Sequence, residues 1–230
     1  MIFTPAYREG GGPITPHPYY IPISTAVVKG QVVGFTAGTG IVVYNATDAD
    51  DAILGVAAEA HDGSTAGRQS GTELLVYDEP DIIFKCVPKT LSTVDSGDAT
   101  SWIDAEFLGA DDIFNGGKIV IVSTNSVAGF NAGDVLDISD FANSGGDFTV
   151  SGAGGTIAAG ITGYVYPGNR AVCVVAFDTI ATTYNNLNMK STGGETFIIK
   201  DVVWDAAKKE AIIYFKIRLH LFGNDGLTIT

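Results

Sequence analysis

The sequence predicts an all-β fold, and three observations carry that reading. Over residues 213–222, Ile213, Phe215, Ile217, Leu219 and Leu221 alternate with Tyr214, Lys216, Arg218 and His220. A period of two marks a strand with one buried face. Elsewhere the apolar runs are short: KGQVVGF at 29–35, ILGVA at 53–57, ELLVYDE at 73–79 and DIIFKCV at 81–87, each bounded by Gly, Pro or Asp. Such runs, rich in β-branched and aromatic residues, suit strands and are too interrupted for helices. Finally, 29 of the 230 residues are glycine, nearly double the usual share of about 7%. A chain so rich in turn formers reverses often.

Taken in order, residues 1–24 hold five of the eight prolines, Pro5, Pro13, Pro16, Pro18 and Pro22, together with Gly10, Gly11 and Gly12. Proline fixes φ and removes an amide donor, so this segment is expected to run extended and to be barred from a helix or a central strand. It reads as an arm whose Phe3, Tyr7, Pro16, Tyr19 and Tyr20 could anchor it on its own body or on a neighbouring molecule. Residues 25–88 read as a β unit with strands near 29–35, 41–44, 53–57 and 71–86, broken by the polar loop HDGSTAGRQS at 61–70.

Residues 89–180 read as a second β-rich unit. Residues 102–108 could be a strand or one short helix capped by Ser101, and their spacing leaves both open. Lys118, Ile119, Val120, Ile121 and Val122 form a β-rich run, and 143–146 and 151–155 are turns. Residues 132–138 share the shape of 28–35, and 147–150 and 161–165 follow as 41–44 and 53–57 do. Duplication of the unit and chance likeness of Gly-bounded strands both remain open.

Residues 181–194 are polar and end in glycine, as a linker does. In the final segment, 190–230, a C-terminal β-hairpin is expected. Residues 196–204 would pair antiparallel with the alternating strand, and 205–210 would form a turn or one helical turn. A lone hairpin is marginal in water, so its face of Phe215, Ile217, Leu219 and Leu221 must pack on the body or on another subunit. Those four residues are the candidates for an oligomer contact.

Composition narrows the function. Hydrophobic residues make up 46% of the chain and charged ones 17%, which argues against wholesale disorder. The formal charge is −13 and uneven: residues 190–230 carry six basic and five acidic residues, leaving seven basic and 21 acidic, a net −14, before them. An acidic body repels phosphate backbones, so direct nucleic-acid binding is not expected. No stretch approaches the ~18 apolar residues of a membrane-spanning helix. The opening MIFTPAYREGGG lacks a basic region followed by a long apolar run, so synthesis in the cytoplasm without secretion is expected. On that reading Cys86 and Cys173 are buried thiols rather than a disulfide.

Searches for chemistry turn up little. His17, His61 and His220 share no metal-ligand spacing, and neither cysteine has a partner a few residues away. Asp48, Asp50 and Asp51 lack the glycine and terminal glutamate of a calcium loop and read as a solvated turn. There is no G-x-S-x-G elbow, and the glycines of 150–156 lack the G-K-[ST] ending of a phosphate loop. No catalytic group, metal or cofactor is therefore expected. A β-rich hydrolase with paired carboxylates is the enzymatic rival.

One pattern is familiar. Lys29-Gly-Gln-Val-Val33, then Leu54-Gly-Val-Ala57, then the run from Gly71 to Cys86, preceded by a Pro/Tyr-rich arm, resembles the capsid decoration (cement) proteins of tailed double-stranded DNA phages. The resemblance covers residues 13–88 and, more loosely, 118–177. It implies a small β-barrel or β-tulip-like unit, and a virion structural role on the capsid exterior. The partners would be the major capsid protein and further copies of the same chain, as a trimer rather than a dimer. The arm would lie on the shell, and the chain exceeds a single-unit member in length. A head fibre or tail-associated adhesin is the alternative within the virion.

Overall fold

A computed structural model describes residues 3–22, 24–36, 40–43, 53–63, 72–87, 90–107, 114–142, 144–168, 174–175 and 197–217. Among these residues there are nineteen strands. They begin with β1 (Thr4–Arg8), β2 (His17–Ile21), β3 (Ala26–Val27), β4 (Val32–Thr36), β5 (Gly40–Val43), β6 (Ile53–Ala57), β7 (His61–Asp62), β8 (Thr72–Tyr77) and β9 (Ile82–Cys86). Then come β10 (Thr90–Thr93), β11 (Ser96–Gly97), β12 (Ser101–Ile103), β13 (Lys118–Ser123), β14 (Val135–Ala142), β15 (Asp147–Ser151) and β16 (Thr162–Tyr166). The last are β17 (Val174–Val175), β18 (Phe197–Asp205) and β19 (Glu210–Ile217). Among the described residues none is helical, and the fold is all-β with antiparallel pairing throughout.

Sheet I has the order β2-β8-β6-β4-β5. Its centre, β6, explains why ILGVA shows no alternation: all five residues are buried. Leu54 and Ala57 face one cluster, with Ile21, Val33, Ile41, Leu74 and Val76. Ile53 and Val56 face the other, which they share with Phe84 and Phe215. A strand covered on both sides reads as a continuous apolar run. The sheet also curls, since its two edge strands approach each other where Gly40 lies against Tyr20. A Cβ at Gly40 would stand 2.7 Å from the Tyr20 ring and 3.0 Å from its carbonyl oxygen. The short pair β3–β7 lies alongside as a separate two-stranded sheet.

All seven strands of sheet II come from residues 90–166, in the order β10-β16-β13-β14-β15-β12-β11. Its two ends are successive stretches of one segment. Thr90–Thr93 pairs with β16, and Ser96–Gly97 pairs with β12. Between them, Val94 N–H donates to Ile161 O and Asp95 N–H to Ile103 O. The sheet therefore bends round like a half-barrel, with residues 90–97 serving both edges. Its concave side is filled by Trp102, Leu136, Phe148 and Val165, each at most 1% exposed. Phe107, Phe114, Phe141 and Phe148 pack ring against ring, with centroids 4.6 to 6.3 Å apart. Space for the indole comes from Gly163, where a Cβ would stand 2.9 Å from Trp102. Over 102–107, the described part of 102–108, the open choice resolves to the end of the three-residue strand β12 followed by a turn at Ala105 and Glu106.

Sheet III, in the order β1-β9-β19-β18-β17, draws strands from before and after sheet II. β18 and β19 pair over their whole lengths, from Phe197 opposite Ile217 to Asp205 opposite Glu210. β19 alternates as its sequence predicts, with Ala211, Ile213, Phe215 and Ile217 buried and Ile212, Tyr214 and Lys216 half-buried. The pair is built into the body. β9 pairs with β19, and Phe84 stacks on Phe215 at 6.0 Å. At the β18–β19 turn, Trp204 meets Tyr166 at 5.7 Å, Lys118 Nζ lies 5.4 Å from the Trp204 ring centroid, and Lys209 Nζ donates to Gly133 O. Burial, helped by the charge of Glu210, pushes the Tyr166 hydroxyl up to about 12.

Internal duplication is not supported by the pairing. β6 lies directly beside β4, whereas its supposed counterpart β16 is separated from β14 by β13. β4 pairs with β5 as β14 pairs with β15, but the third strand of the unit is placed differently, because register and order are set by the surrounding core and not by the local run.

Candidate functional site

The candidate site is where residues 3–21 meet the body. The prolines act as expected of them: β1 carries Pro5 and β2 carries Pro18, and each strand lies at the edge of its sheet, where a missing amide costs no ladder bond. β1 pairs with β9 from Thr4 opposite Lys85 to Arg8 opposite Ile82, with a bulge between Pro5 and Tyr7. β2 pairs with β8 from His17 opposite Val76 to Ile21 opposite Thr72.

What fastens them is the acidic turn Asp78-Glu79-Pro80-Asp81 between β8 and β9. Asp78 is 7% exposed. Its Oδ1 lies 2.6 Å from His17 Nδ1, and its Oδ2 accepts from the Tyr19 hydroxyl. Two residues apart on a strand, His17 and Tyr19 point to one face and so reach the same carboxylate. The hydrogen bond to Asp78, with the charges of Asp78 and Glu79, holds the His17 imidazole above its ordinary value. Burial first, then Asp78, raises the Tyr19 hydroxyl, which stays protonated and donating.

Arg8 clasps the other two acids. Its guanidinium reaches Glu79 Oε1 at 2.7 Å and Asp81 Oδ2 at 3.0 Å, while Glu79 Oε2 and Asp81 Oδ1 are buried without a hydrogen-bond partner. The hydrogen bond to Asp81 leads the effects that raise Arg8 further above its already high value. Next along the chain, the Glu9 carboxylate bridges Lys200 at 2.7 Å and Lys216 at 2.9 Å, and these bonds, Lys200 first, hold it below the usual carboxylate range. Two sheets are thus tied to one segment by four charged or polar side chains of that segment, Arg8, Glu9, His17 and Tyr19, and their partners.

The sequence-derived candidates divide sharply. Tyr7 and Tyr20 are exposed, at 48% and 55%, whereas Phe3 is 4% exposed and packed edge-on to Phe215. Tyr19 is half-buried on Asp78, and Pro16 is half-buried. Phe215 and Ile217, read as oligomer contacts, lie in the chain's own core; Leu219 and Leu221 lie outside the described residues. Sequence reasoning overlooked Asp78, Glu79, Asp81 and Arg8. The i, i+2 pair His17 and Tyr19, opposite the acid-rich YDEPD, was the signal that could have found them.

Other chemistry is sparse here. Among the described residues, no group of three or more His, Cys, Asp or Glu could hold a metal ion. Asp48, Asp50, Asp51, Cys173 and His220 lie outside the described residues. Cys86 is a buried free thiol, raised far above its ordinary value by burial. A second buried polar group joins Ser92, Asp104 and Trp102: Trp102 Nε1–H donates to Ser92 Oγ at 2.9 Å, and Ser92 Oγ–H donates to Asp104 Oδ2 at 2.6 Å. It braces the concave side of sheet II. No helix among the described residues is long and apolar enough to cross a membrane. Comparison with protein-family models, with curated proteins and with solved structures finds no match to this chain.

Proposed function

We propose that this protein is a virion structural protein that binds the outside of a shell of major capsid protein and stabilises it. The observation that carries the reading is the pair Tyr7 and Tyr20, large side chains left half outside on edge strands that Arg8, His17 and Tyr19 tie to the body. Rigid exposed tyrosines offer contact area at little entropic cost, and a sheet edge offers backbone groups to a partner strand. The curled sheet I, whose edges meet at Tyr20 and Gly40, supports the finer reading of a barrel or tulip-like unit. A net charge of −13 speaks for contact with protein rather than with nucleic acid.

Because Phe3 belongs to the core, removing residues 2–20 would unseat the fold, and co-sedimentation of the intact protein is the cleaner test. Shells assembled from the major capsid protein encoded with it should take the protein up saturably and then disassemble at a higher temperature. Folded protein that stays wholly in the supernatant overturns the proposal.

A further inference from the structure

We propose that residues 3–9 form an exchangeable strand, so that a second copy of this chain can lay its own β1 beside β9 and the two copies assemble by swapping it. This inference concerns chain-to-chain contact alone and does not rest on a capsid.

The segment is a self-contained cassette. At one end Phe3 is seated against Phe215, and its N–H donates to Gly30 O. At the other end Arg8 is clasped by Glu79 and Asp81, and Glu9 by Lys200 and Lys216. Between them, among the described residues, β1 pairs with β9 alone, on one side only. These contacts all lie on residues well beyond the segment, so a second molecule offers an identical set.

Immediately after the cassette comes Gly10-Gly11-Gly12. Gly11 and Gly12 have φ of 73° and 96° and are exposed, and a Cβ at either would meet nothing within 4 Å. The return from β1 toward β2 therefore depends on backbone conformations that favour glycine, held by the turn bond from Gly11 N–H to Arg8 O and the exposed bond from Arg8 to Pro13 O but by no packing against the glycines. A strand held by transferable contacts and followed by an unpacked hinge is the physical arrangement from which strand exchange proceeds at low cost. Charge complementarity selects the occupant: an entering strand must present a cation to Glu79 and Asp81 and, one residue on, an anion to Lys200 and Lys216. This chain's own Arg8-Glu9 does so.

The test perturbs the hinge and leaves the cassette intact. In Gly11→Ala/Gly12→Ala, the left-handed conformations of the closed form become strained while an opened hinge is free to relax. The concentration at which dimer appears by light scattering should fall by roughly tenfold or more relative to the parent chain. An excess of synthetic peptide with the sequence of residues 2–9 should return that dimer to monomer, and the same peptide carrying Phe3→Ala should not. A variant no more dimeric than the parent, with its strand content retained, overturns the proposal. So does a dimer that the peptide in excess leaves intact, since it is then held by another face.

Discussion

Phe3 and Phe215 lie edge to face, their ring centroids 4.7 Å apart at 71°, although the strand carrying Phe215 lies at the far end of the described chain. Edge-to-face rings gain from the aromatic quadrupole as well as from burial. With Phe84 also stacked on Phe215, Phe3 joins the apolar cluster that these rings share. Phe3→Ala is therefore expected to cost about 3 kcal/mol. A shift in the urea midpoint with the slope unchanged is the measurement; a midpoint equal to the parent's would place the ring outside the core.

The contact between His17 and Asp78 makes stability depend on pH, with a definite sign. His17 is raised above its ordinary value of 6.5 in the folded state. The folded chain then holds that proton more tightly than the unfolded one. Its contribution is complete below the unfolded value and is lost as pH rises through the folded one. His17→Asn should lower the denaturation midpoint at mildly acidic pH and make little difference at alkaline pH. A gap between the two proteins that stays constant from about pH 5.5 to about pH 9 contradicts the assignment.

How much of this was legible depends on where the physical signal lies. The alternation of Ile213, Phe215 and Ile217 with Tyr214 and Lys216 is written locally, because the two faces of one strand meet different surroundings. ILGVA was legible as a strand, but its burial on both sides follows from neighbours remote in sequence. Prolines 5 and 18 announced extended, edge-seeking backbone, yet nothing in Pro/Tyr content says whether the edge belongs to the same molecule. In the structure Phe3, Arg8, His17 and Tyr19 find their partners within the chain, and Tyr7 and Tyr20 are left outward. The likeness of 132–138 to 28–35 left duplication open because short glycine-bounded strands carry almost no information on strand order.

Within sheet II, Ser92 is the hinge of a buried relay, 0% exposed, accepting from Trp102 and donating to Asp104. Ser92→Ala leaves the indole N–H without an acceptor in an apolar interior, at a cost of about 2 kcal/mol. In a Trp102→Phe background the donor is already gone, so the same change should cost about 1 kcal/mol less. A double-mutant cycle by chemical denaturation reads that difference directly. Strict additivity would mean that the two side chains do not depend on one another.

Tyr7 and Tyr20 separate folding from binding, because both rings are about half exposed while their backbones are fixed in β1 and β2. Tyr7 touches its own chain only loosely, 6.4 Å from Tyr214 between centroids, and Tyr20 lies beside Gly40. Replacing both by serine removes little buried area, so stability should change by less than about 1 kcal/mol. If these rings are the anchors on a capsid surface, shell binding should weaken by about 30-fold, the loss typical of one buried aromatic hot spot. Measuring the melting transition and the co-sedimentation isotherm on the same preparation distinguishes the two effects. A double variant that melts and binds as the parent does would move the contact to another face, where exposed Leu91, Val122 and Val203 are the next residues to replace.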